Sequence, residues 1–413
     1  MPTLIKPFRG LRPAASRAAD VIAPPYDVLN SAEARDRARG RPASFLHISK
    51  PEIDLPEGID PHDVRVYARG AANFRAMIES GVLIRDPAPR YYVYRLRMGE
   101  HVQTGLVCTG SVAAYDANRI RKHEFTRPDK EDDRVRQITA LNAQTGPVLL
   151  AYRSSAAVRE ILARVAGGAP LYDTTADDGI GHTLWLVDDA ATIDSLTRLF
   201  DAMNALYIAD GHHRSASASR VAATLRQRQP QATGEEPWAY FLCVAFPQDE
   251  MKILDYNRVV RDLHGHTAGD LLERIGARFT VSGCREPARP ARAGEFGMYL
   301  ERQWYRLLIR PEQVPADPVA SLDVSLLQAH LLGPLLGIRD PRTDKRIDFV
   351  GGMRGLGELE KRVDSGEMAV AFALYPTSMG ALMSVADANQ VMPPKSTWFE
   401  PKLADGLVSH LLD

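Results

Sequence analysis

The chain has 413 residues, of which 45% are hydrophobic and 25% are charged, and its formal net charge at pH 7 is −1. This length is large for one domain, and the composition is ordinary for a globular protein. The near-zero charge argues against a surface built for nucleic acid. The sequence has neither an N-terminal apolar segment nor an apolar span of 18 residues, so we expect a cytoplasmic protein without a membrane partner.

The three cysteines, Cys108, Cys243 and Cys284, are far apart in the sequence and lack Cys-x-x-Cys spacing. This pattern favours reduced core residues over a disulfide framework or a cysteine-rich zinc site. We therefore predict no metal held by the protein alone, and the sequence does not indicate an oligomeric state.

The first part of the chain predicts mixed secondary structure. Val21–Val28 is a short apolar run that ends in a stiff Pro-Pro corner, and 44–48 has the pattern of a strand. Residues 63–80 form an amphipathic pattern typical of a helix. Two aromatic or β-branched runs around Met98-Gly99-Glu100 predict a β-hairpin whose tyrosines lie in the core.

Residues 119–136 are almost entirely charged, but their signs nearly balance. A solvated helix face is the usual interpretation of such a run. Pro128 interrupts the helical pattern, however, and His123 and Glu124 precede it in a cluster of mixed chemistry, with the helix resuming at Arg134. The local residues favour a surface helix and a functional site equally.

The segment that follows Ala205 joins a strand directly to a helix. Residues 206–209 are a short apolar run typical of a buried strand, Asp210-Gly211 is a turn pair, and an alanine-rich helix begins near Ser215. The first turn of a helix has unpaired N–H groups and the positive end of the helix dipole. Since a glycine lets a phosphate approach the backbone, this junction is typical of an anion site.

The side chains at this junction support the same prediction. Arg214 has a forked donor suited to phosphate oxygens, and His212 and His213 can donate hydrogen bonds or transfer protons near neutral pH. We expect Arg214→Ala to weaken phosphate binding with little loss of folding. The alternative is that Asp210 caps the helix and the two histidines are packing residues.

The remaining segments suggest three parts. Residues 239–246 are a continuous apolar run that predicts a central strand, and 253–260 is a second strand with polar side chains. Residues 264–320 have the pattern of a smaller α/β insertion. We therefore predict a main body over 1–263, an insertion over 264–320, and a C-terminal segment over 321–413 that packs back on the main body.

Seven motifs spread over nearly the whole chain carry a resemblance to a known family. They are Pro7–Gly10, Ala23–Val28, His123–Thr126 with Lys130, Glu131 and Arg134, Ala209–Arg214, Leu254–Arg258, Phe349–Gly352 and Met392–Phe399. Together they resemble the bacterial family catalogued as domain of unknown function 1015. Within them, Asp210–Arg214 is similar to the phosphate loop of the ParB and sulfiredoxin superfamily, which includes free L-serine kinases.

The resemblance implies a mixed α+β fold with a ParB/sulfiredoxin-like nucleotide-binding core, phosphates over Gly211–Arg214, and a carboxylate that acts on an alcohol. It implies Mg²⁺ with ATP or ADP as donor, pyrophosphate as another candidate, and free L-serine as first acceptor. Known serine kinases of this superfamily are far shorter, so the choice of Glu124 as base is our own inference. The residues assigned are Glu124, His123, Glu131 and Arg134 for catalysis, Asp210, Gly211, His212, His213, Arg214 and Lys395 for phosphate, and Asn257, Arg258 and Thr397 for the substrate.

Two other classes of function are compatible with these residues. A metal-dependent hydrolase could use His123, Glu124, His212 and His213 as ligands, although the helical spacing of known zinc motifs is absent. A nucleotide-gated binding protein, like the DNA-partition members of the superfamily, is disfavoured by the balanced charge.

Overall fold

The computed structural model describes residues 3–413, which form two compact units. The first unit comprises residues 3–251 and 401–413, and the second comprises 252–400. The predicted insertion and most of the predicted C-terminal segment therefore lie together in the second unit. The three-part division stays a prediction.

The strands are short, and most consist of apolar or β-branched residues. In chain order they are β1 Ile5–Lys6, β2 Leu11–Pro13, β3 Leu83–Arg85, β4 Tyr91–Met98, β5 His101–Ser111, β6 Ile120–Arg121, β7 Ala143–Gln144, β8 Val148–Tyr152, β9 Tyr172–Thr175, β10 Gly181–Val187, β11 Leu206–Asp210, β12 Tyr240–Pro247, β13 Lys252–Leu254, β14 Tyr256–Val260, β15 Phe279–Cys284, β16 Glu295–Leu300, β17 Gln303–Ile309, β18 Ile347–Gly351, β19 Val370–Leu374, β20 Trp398–Glu400 and β21 His410–Leu411.

The helices range from single turns to about five turns. In chain order they are α1 Ala18–Val21, α2 Ser31–Ala38, α3 Leu46–Ser49, α4 Val64–Glu79, α5 Val112–Asp116, α6 Pro128–Leu141, α7 Ala156–Ala166, α8 Ala190–Asp201, α9 His212–Arg228, α10 Ala268–Gly276, α11 Asp323–Leu327, α12 Gly355–Asp364 and α13 Met379–Asp387. The prediction of a mixed α+β fold is confirmed.

The first unit is built on a sheet in the order β6-β11-β8-β12-β5-β4-β10-β9, with β1 beside β5. β11 is parallel to β6 and antiparallel to β8, whereas β12 is parallel to β8 and antiparallel to β5. Residues 206–209 and 240–247 are buried throughout. As predicted from their apolar runs, β11 and β12 are therefore interior strands, and β4 and β5 form the expected hairpin.

The core of the first unit lies on the sheet and is closed by helices. α9 contributes its small residues, such as Ala218 and Ala222, and α8 contributes Leu196 and Phe200. Because alanine and serine dominate the buried face of α9, this helix packs closely on the sheet.

The second unit has a six-stranded sheet in the order β15-β17-β16-β19-β14-β18 and a small ladder between β13 and β20. The strands predicted near Phe279, Met298 and Gln303 are confirmed. The strand predicted over 253–260 is divided at Asp255 into β13 and β14, which pair with different partners.

Three local predictions were wrong. Residues 44–48 are not a strand, since α3 occupies 46–49. Pro128 does not interrupt a helix but begins α6 as its first residue, a position where proline costs no hydrogen bond. α9 begins at His212 rather than near Ser215.

The three cysteines are free, and Cys108 and Cys243 lie in the core as predicted, whereas Cys284 is only half-buried. Cys108 and Cys243 are nevertheless close in space, because they face each other across β5 and β12 with their Sγ atoms 3.5 Å apart. Within residues 3–413, none of the helices is both long and apolar enough to cross a membrane.

Candidate functional site

The junction between β11 and α9 depends on Gly211. Its φ of 98° is a left-handed conformation that favours glycine, and no side chain caps the helix that follows. An added Cβ would lie 3.1 Å from Arg214 Nε and 3.3 Å from Val148 Cα. The first backbone bond of the helix runs from the Ser215 N–H to the Gly211 carbonyl. The N–H groups before Ser215 therefore form the positive end of a 17-residue helix.

Asp210 stands at the end of β11, just after a register shift between Ile208 and Asp210 that redirects the strand. Its carboxylate lies 3.1 Å from Lys402 Nζ and 3.5 Å from an Arg214 guanidinium nitrogen. Burial alone would raise the pKa of Asp210, but the charges of Lys402 and Arg214 outweigh it and hold the pKa well below its usual value. Asp210 is therefore an ionised side chain held between two cations.

Arg214 is turned inward. Its side chain is only 9% exposed, and its guanidinium donates to the Pro147 carbonyl and lies 3.8 Å from Asp27. Burial opposes its charge, but Asp210 and Asp27 outweigh that effect and raise the pKa of Arg214. The expectation that Arg214→Ala leaves folding nearly unchanged does not fit this geometry, because the side chain is part of the interior.

Glu124 reaches the first turn of α9 because β6 runs parallel to β11, so the residues after β6 arrive at the same end of the sheet. Its Oε2 lies 3.5 Å from His212 Nδ1, while His212 is buried. The backbone N–H of His123 faces His212 Nε2 at 3.4 Å, so the proton of a neutral His212 is on Nδ1 and points to Glu124. Burial, followed by the neighbouring His123, holds the pKa of His212 well below 6.5.

His123 is buried against His212, with the two rings edge to face at 4.4 Å. Burial lowers the pKa of His123 to about 4, so its ring is neutral at pH 7. Among the described residues, its Nδ1 has no hydrogen-bond partner. Whereas His123 and His212 are buried, the side chain of Glu124 is 49% exposed.

The two other polar residues predicted near this site mainly join elements together. Glu131 accepts a hydrogen bond from Thr126 and pairs with Arg220 at 3.1 Å, which ties α6 to α9. His213 Nε2 accepts the Arg127 N–H at 3.0 Å, so the segment before α6 is fixed to the second residue of α9. Burial lowers the pKa of His213.

Arg134 lies in an adjoining buried network. Its guanidinium stacks on the Tyr26 ring at 3.9 Å and pairs with Asp133. Arg134 and Tyr26, together with Arg214 and Asp405, line a cavity of about 30 Å³, enough for one or two waters. Burial raises the pKa of Asp405 to about 7. The structure thus brings Arg134 and Arg214 together as supports beneath the helix terminus.

The other four predicted residues belong to the second unit. Asn257 is buried and bonds to Asp255 and to the Leu374 N–H. Arg258 is also buried, and it donates to the carbonyls of Tyr256 and Lys395. Lys395 Nζ lies 5.5 Å from the centre of the Tyr256 ring, and Thr397 is half-buried. Their assignment to phosphate or substrate stays a prediction.

Three residues of the site, Lys402, Asp27 and Asp405, were not assigned to it from the sequence. Asp27 lies within the Ala23–Val28 motif, and Lys402 and Asp405 follow the Met392–Phe399 motif, but each comes near the start of α9 only through folding over more than 180 residues of chain. The Pro-Pro-Tyr-Asp corner was the one available signal for Asp27. Within residues 3–413, no group of three His, Cys, Asp or Glu side chains is arranged to hold a metal ion.

The fold and the site define a mixed α+β protein whose first unit presents an uncapped helix N-terminus beside a histidine–glutamate pair. The chain belongs to the family described as protein of unknown function, DUF1015, whose model matches residues 5–325. No curated protein matches the chain.

Several solved structures are distantly similar. Free serine kinase in complex with AMP is 13% identical, covering 71% of this chain and 86% of that chain at a TM-score of 0.33. SbnI from Staphylococcus aureus, with a C-terminal truncation, is 10% identical over 72% and 85% at 0.37. A conserved hypothetical protein from Pyrococcus furiosus is 14% identical over 73% and 93% at 0.32. At these TM-scores the likeness is slight.

Proposed function

We propose that this protein is a small-molecule kinase that transfers the terminal phosphoryl group of a nucleotide, or of pyrophosphate, to the hydroxyl of a small alcohol. One observation carries the proposal. A partly exposed carboxylate, Glu124, stands 3.5 Å from a neutral histidine in the first turn of a helix whose N-terminus has no capping side chain. A base and an anion-binding group are thus side by side.

The phosphates bind at the start of α9. Its first-turn N–H groups and its dipole favour a negative charge, and Gly211 leaves the backbone open to close approach. Lys402 and His213 add donors at the same end of the helix. Arg214 contributes by holding Asp210 and the first turn in place rather than by reaching the ligand, because its guanidinium is used inside the protein.

Glu124 accepts the proton of the alcohol. The Nδ1–H of His212 points at its carboxylate and fixes its direction, so His212 acts as a positioning residue. Glu131, the second choice for the base, is paired with Arg220 and bonded by Thr126. These partners favour Glu124 for the role.

Mg²⁺ is the cofactor that such a transfer requires. The ion takes oxygen ligands, keeps several waters, and is usually held by one or two carboxylates together with the substrate's phosphates. The residues here fit an ion held mainly by the substrate's phosphates, because Asp210, the ionised carboxylate beside the phosphate-binding turn, is already paired with Lys402 and Arg214. When bound, Mg²⁺ would neutralise charge on the phosphates.

In the reaction, the alcohol oxygen forms a bond to the terminal phosphorus, and the bond from that phosphorus to the bridging oxygen breaks. The nucleotide leaves with the bridging oxygen, and the alcohol proton passes to Glu124. Little covalent help is needed, since positioning and charge stabilisation supply most of the rate. Free L-serine is the acceptor to test first, because the Asp210–Arg214 motif resembles that of free L-serine kinases.

Two matched substitutions test the assignment. Glu124→Gln keeps the shape but removes the base, so kcat should fall by about 10²- to 10⁴-fold while nucleotide affinity persists. Glu160→Gln, on an exposed position of α7, is the control. If Glu124→Gln retains full kcat, Glu124 is not the base.

Lys402→Met should weaken nucleotide binding by about tenfold, as expected for loss of a charge-assisted hydrogen bond. Lys252→Met, an exposed position in β13, is its control. Isothermal titration with ADP and with pyrophosphate measures both variants. Equal affinity for both variants and the unmodified protein would remove Lys402 from the phosphate site.

A further inference from the structure

The first unit contains another cavity, of about 240 Å³, that the proposed kinase reaction does not use. It lies where β1, the start of β12 and β21 meet, and Pro7, Phe8 and Arg9 of the Pro7–Gly10 motif line it. Its walls are largely apolar: Phe8, Tyr240, Leu411 and three prolines line it. Phe8 is fixed by edge-to-face contacts with Tyr92 and His410, so the wall is rigid.

Three cations line the same cavity, and they are paired to different extents. Lys6 is bound to Glu235 at 2.6 Å. Arg85 donates from its terminal nitrogen to the Asp413 carbonyl, and its guanidinium also pairs with the Asp413 carboxylate at 3.4 Å. Arg9 is exposed, and its Nε donates to the backbone carbonyl of Asp86.

Arg85 also has an unused donor. Its Nε is buried and has no hydrogen-bond partner among residues 3–413. A buried N–H without an acceptor costs free energy, and such groups in folded proteins are nearly always satisfied. The Arg85 side chain is 30% exposed and lines the cavity, so a small rotation of the guanidinium would bring Nε into contact with an oxygen acceptor there. Arginine's planar fork is suited to a carboxylate or a phosphate.

The charges around the cavity decide between these two anions. Glu235 and Asp413 also line it, and they repel a dianion more strongly than a monoanion. Burial lowers the pKa of His410 to about 4, so this lining residue is neutral at pH 7 and adds no positive charge. The chemistry favours a single negative charge.

We propose that this cavity is a second ligand site, which binds a small organic carboxylate with a flat apolar body. The carboxylate faces Arg85 and Arg9, and the apolar body lies between Phe8 and Tyr240. None of these residues is part of the proposed kinase site, so the two proposals can fail independently.

Three probes of similar size, each built on one benzene ring, test the charge requirement on the full chain. At pH 7 the group attached to the ring is negatively charged in benzoate, neutral in benzamide and positively charged in benzylamine. By ligand-observed NMR titration, benzoate should bind at least tenfold more tightly than benzamide, and benzylamine should bind least. Equal binding of benzoate and benzamide, or no binding of benzoate at millimolar concentrations, would overturn the proposal.

Two substitutions test the location. Arg85→Lys keeps the charge but removes the fork, and Arg9→Gln removes the charge at an exposed position where folding is not at risk. Each should weaken benzoate binding by about tenfold, whereas Arg97→Gln, an exposed position on β4, should not. If Arg85→Lys fails to fold, the benzoate affinity of Arg9→Gln tests the location of the site. Unchanged benzoate affinity in Arg9→Gln would place binding elsewhere and overturn the proposal.

Discussion

Replacing Arg214 with alanine should destabilise the first unit by about 3 kcal/mol. The guanidinium is buried and donates to the Pro147 carbonyl, and losing that bond leaves a buried acceptor unpaired at a cost of about 1–3 kcal/mol. Asp210 also loses one of its two cations and keeps only Lys402. The pair with Asp27 adds at most about 1 kcal/mol, because that carboxylate is 42% exposed.

Urea unfolding followed by circular dichroism measures the loss. Arg228→Ala is the control, since Arg228 is an exposed arginine on the last turn of the same helix and should change stability by no more than about 0.5 kcal/mol. Arg214→Lys should fall between the two, because it keeps the charge without the fork. A loss below about 1 kcal/mol for Arg214→Ala would refute the view that Arg214 is a support of the site rather than an exposed phosphate ligand.

Two further variants test the same region. Gly211→Ala should lower the free energy of unfolding by at least about 1–2 kcal/mol, because φ is 98° and the new Cβ meets the Val148 backbone at 3.3 Å. The control is Gly357→Ala, at a helical glycine with nothing within 4 Å of the new Cβ, which should not destabilise the protein. A thermal melt of each variant checks this, and equal melting temperatures would contradict the strain argument. Asp405 has a folded pKa raised from 3.8 to about 7, so its contribution to stability is present below pH 4 and is lost as pH rises to about 7. Asp405→Asn removes that loss, so the stability of the variant relative to the unmodified protein should rise by up to about 1.4 kcal/mol per pH unit between pH 4 and 7. Urea unfolding at several pH values measures this difference, and a difference that does not change with pH would argue against a buried protonated carboxyl.

The sequence predicted well those parts of the fold that depend on local pattern. The apolar runs over 206–209 and 240–246 became interior strands, because a continuous apolar stretch must be covered on both faces. The prediction of a strand over 44–48 was wrong, because a few apolar residues fit a buried helical turn as well as a strand. The start of α9 was predicted three residues too late, because the signal was Gly211 in a left-handed conformation rather than a serine cap.

The sequence pointed to Glu124, His212 and Arg214 but not to the orientation of their side chains. That Glu124 approaches His212 follows from the parallel pairing of β6 and β11, which no local pattern reveals. Arginine is a residue type expected of a phosphate ligand, but the side chain of Arg214 points inward, where it pairs with Asp27 and donates to the Pro147 carbonyl. Such partners are distant in the sequence, so their choice is a property of the tertiary structure.

The measurement that tests the central claim most directly is phosphoryl transfer itself. The purified protein is incubated with L-serine, Mg²⁺ and, in turn, ATP, ADP and pyrophosphate, and the products are followed by ³¹P NMR. The proposal predicts a phosphate monoester of serine with one of these donors, and a rate about 10²- to 10⁴-fold lower for Glu124→Gln under the same conditions. No phosphoserine with any donor, from protein that binds the nucleotide by titration, would contradict serine as the acceptor, and transfer by Glu124→Gln at the unmodified rate would contradict the assignment of the site.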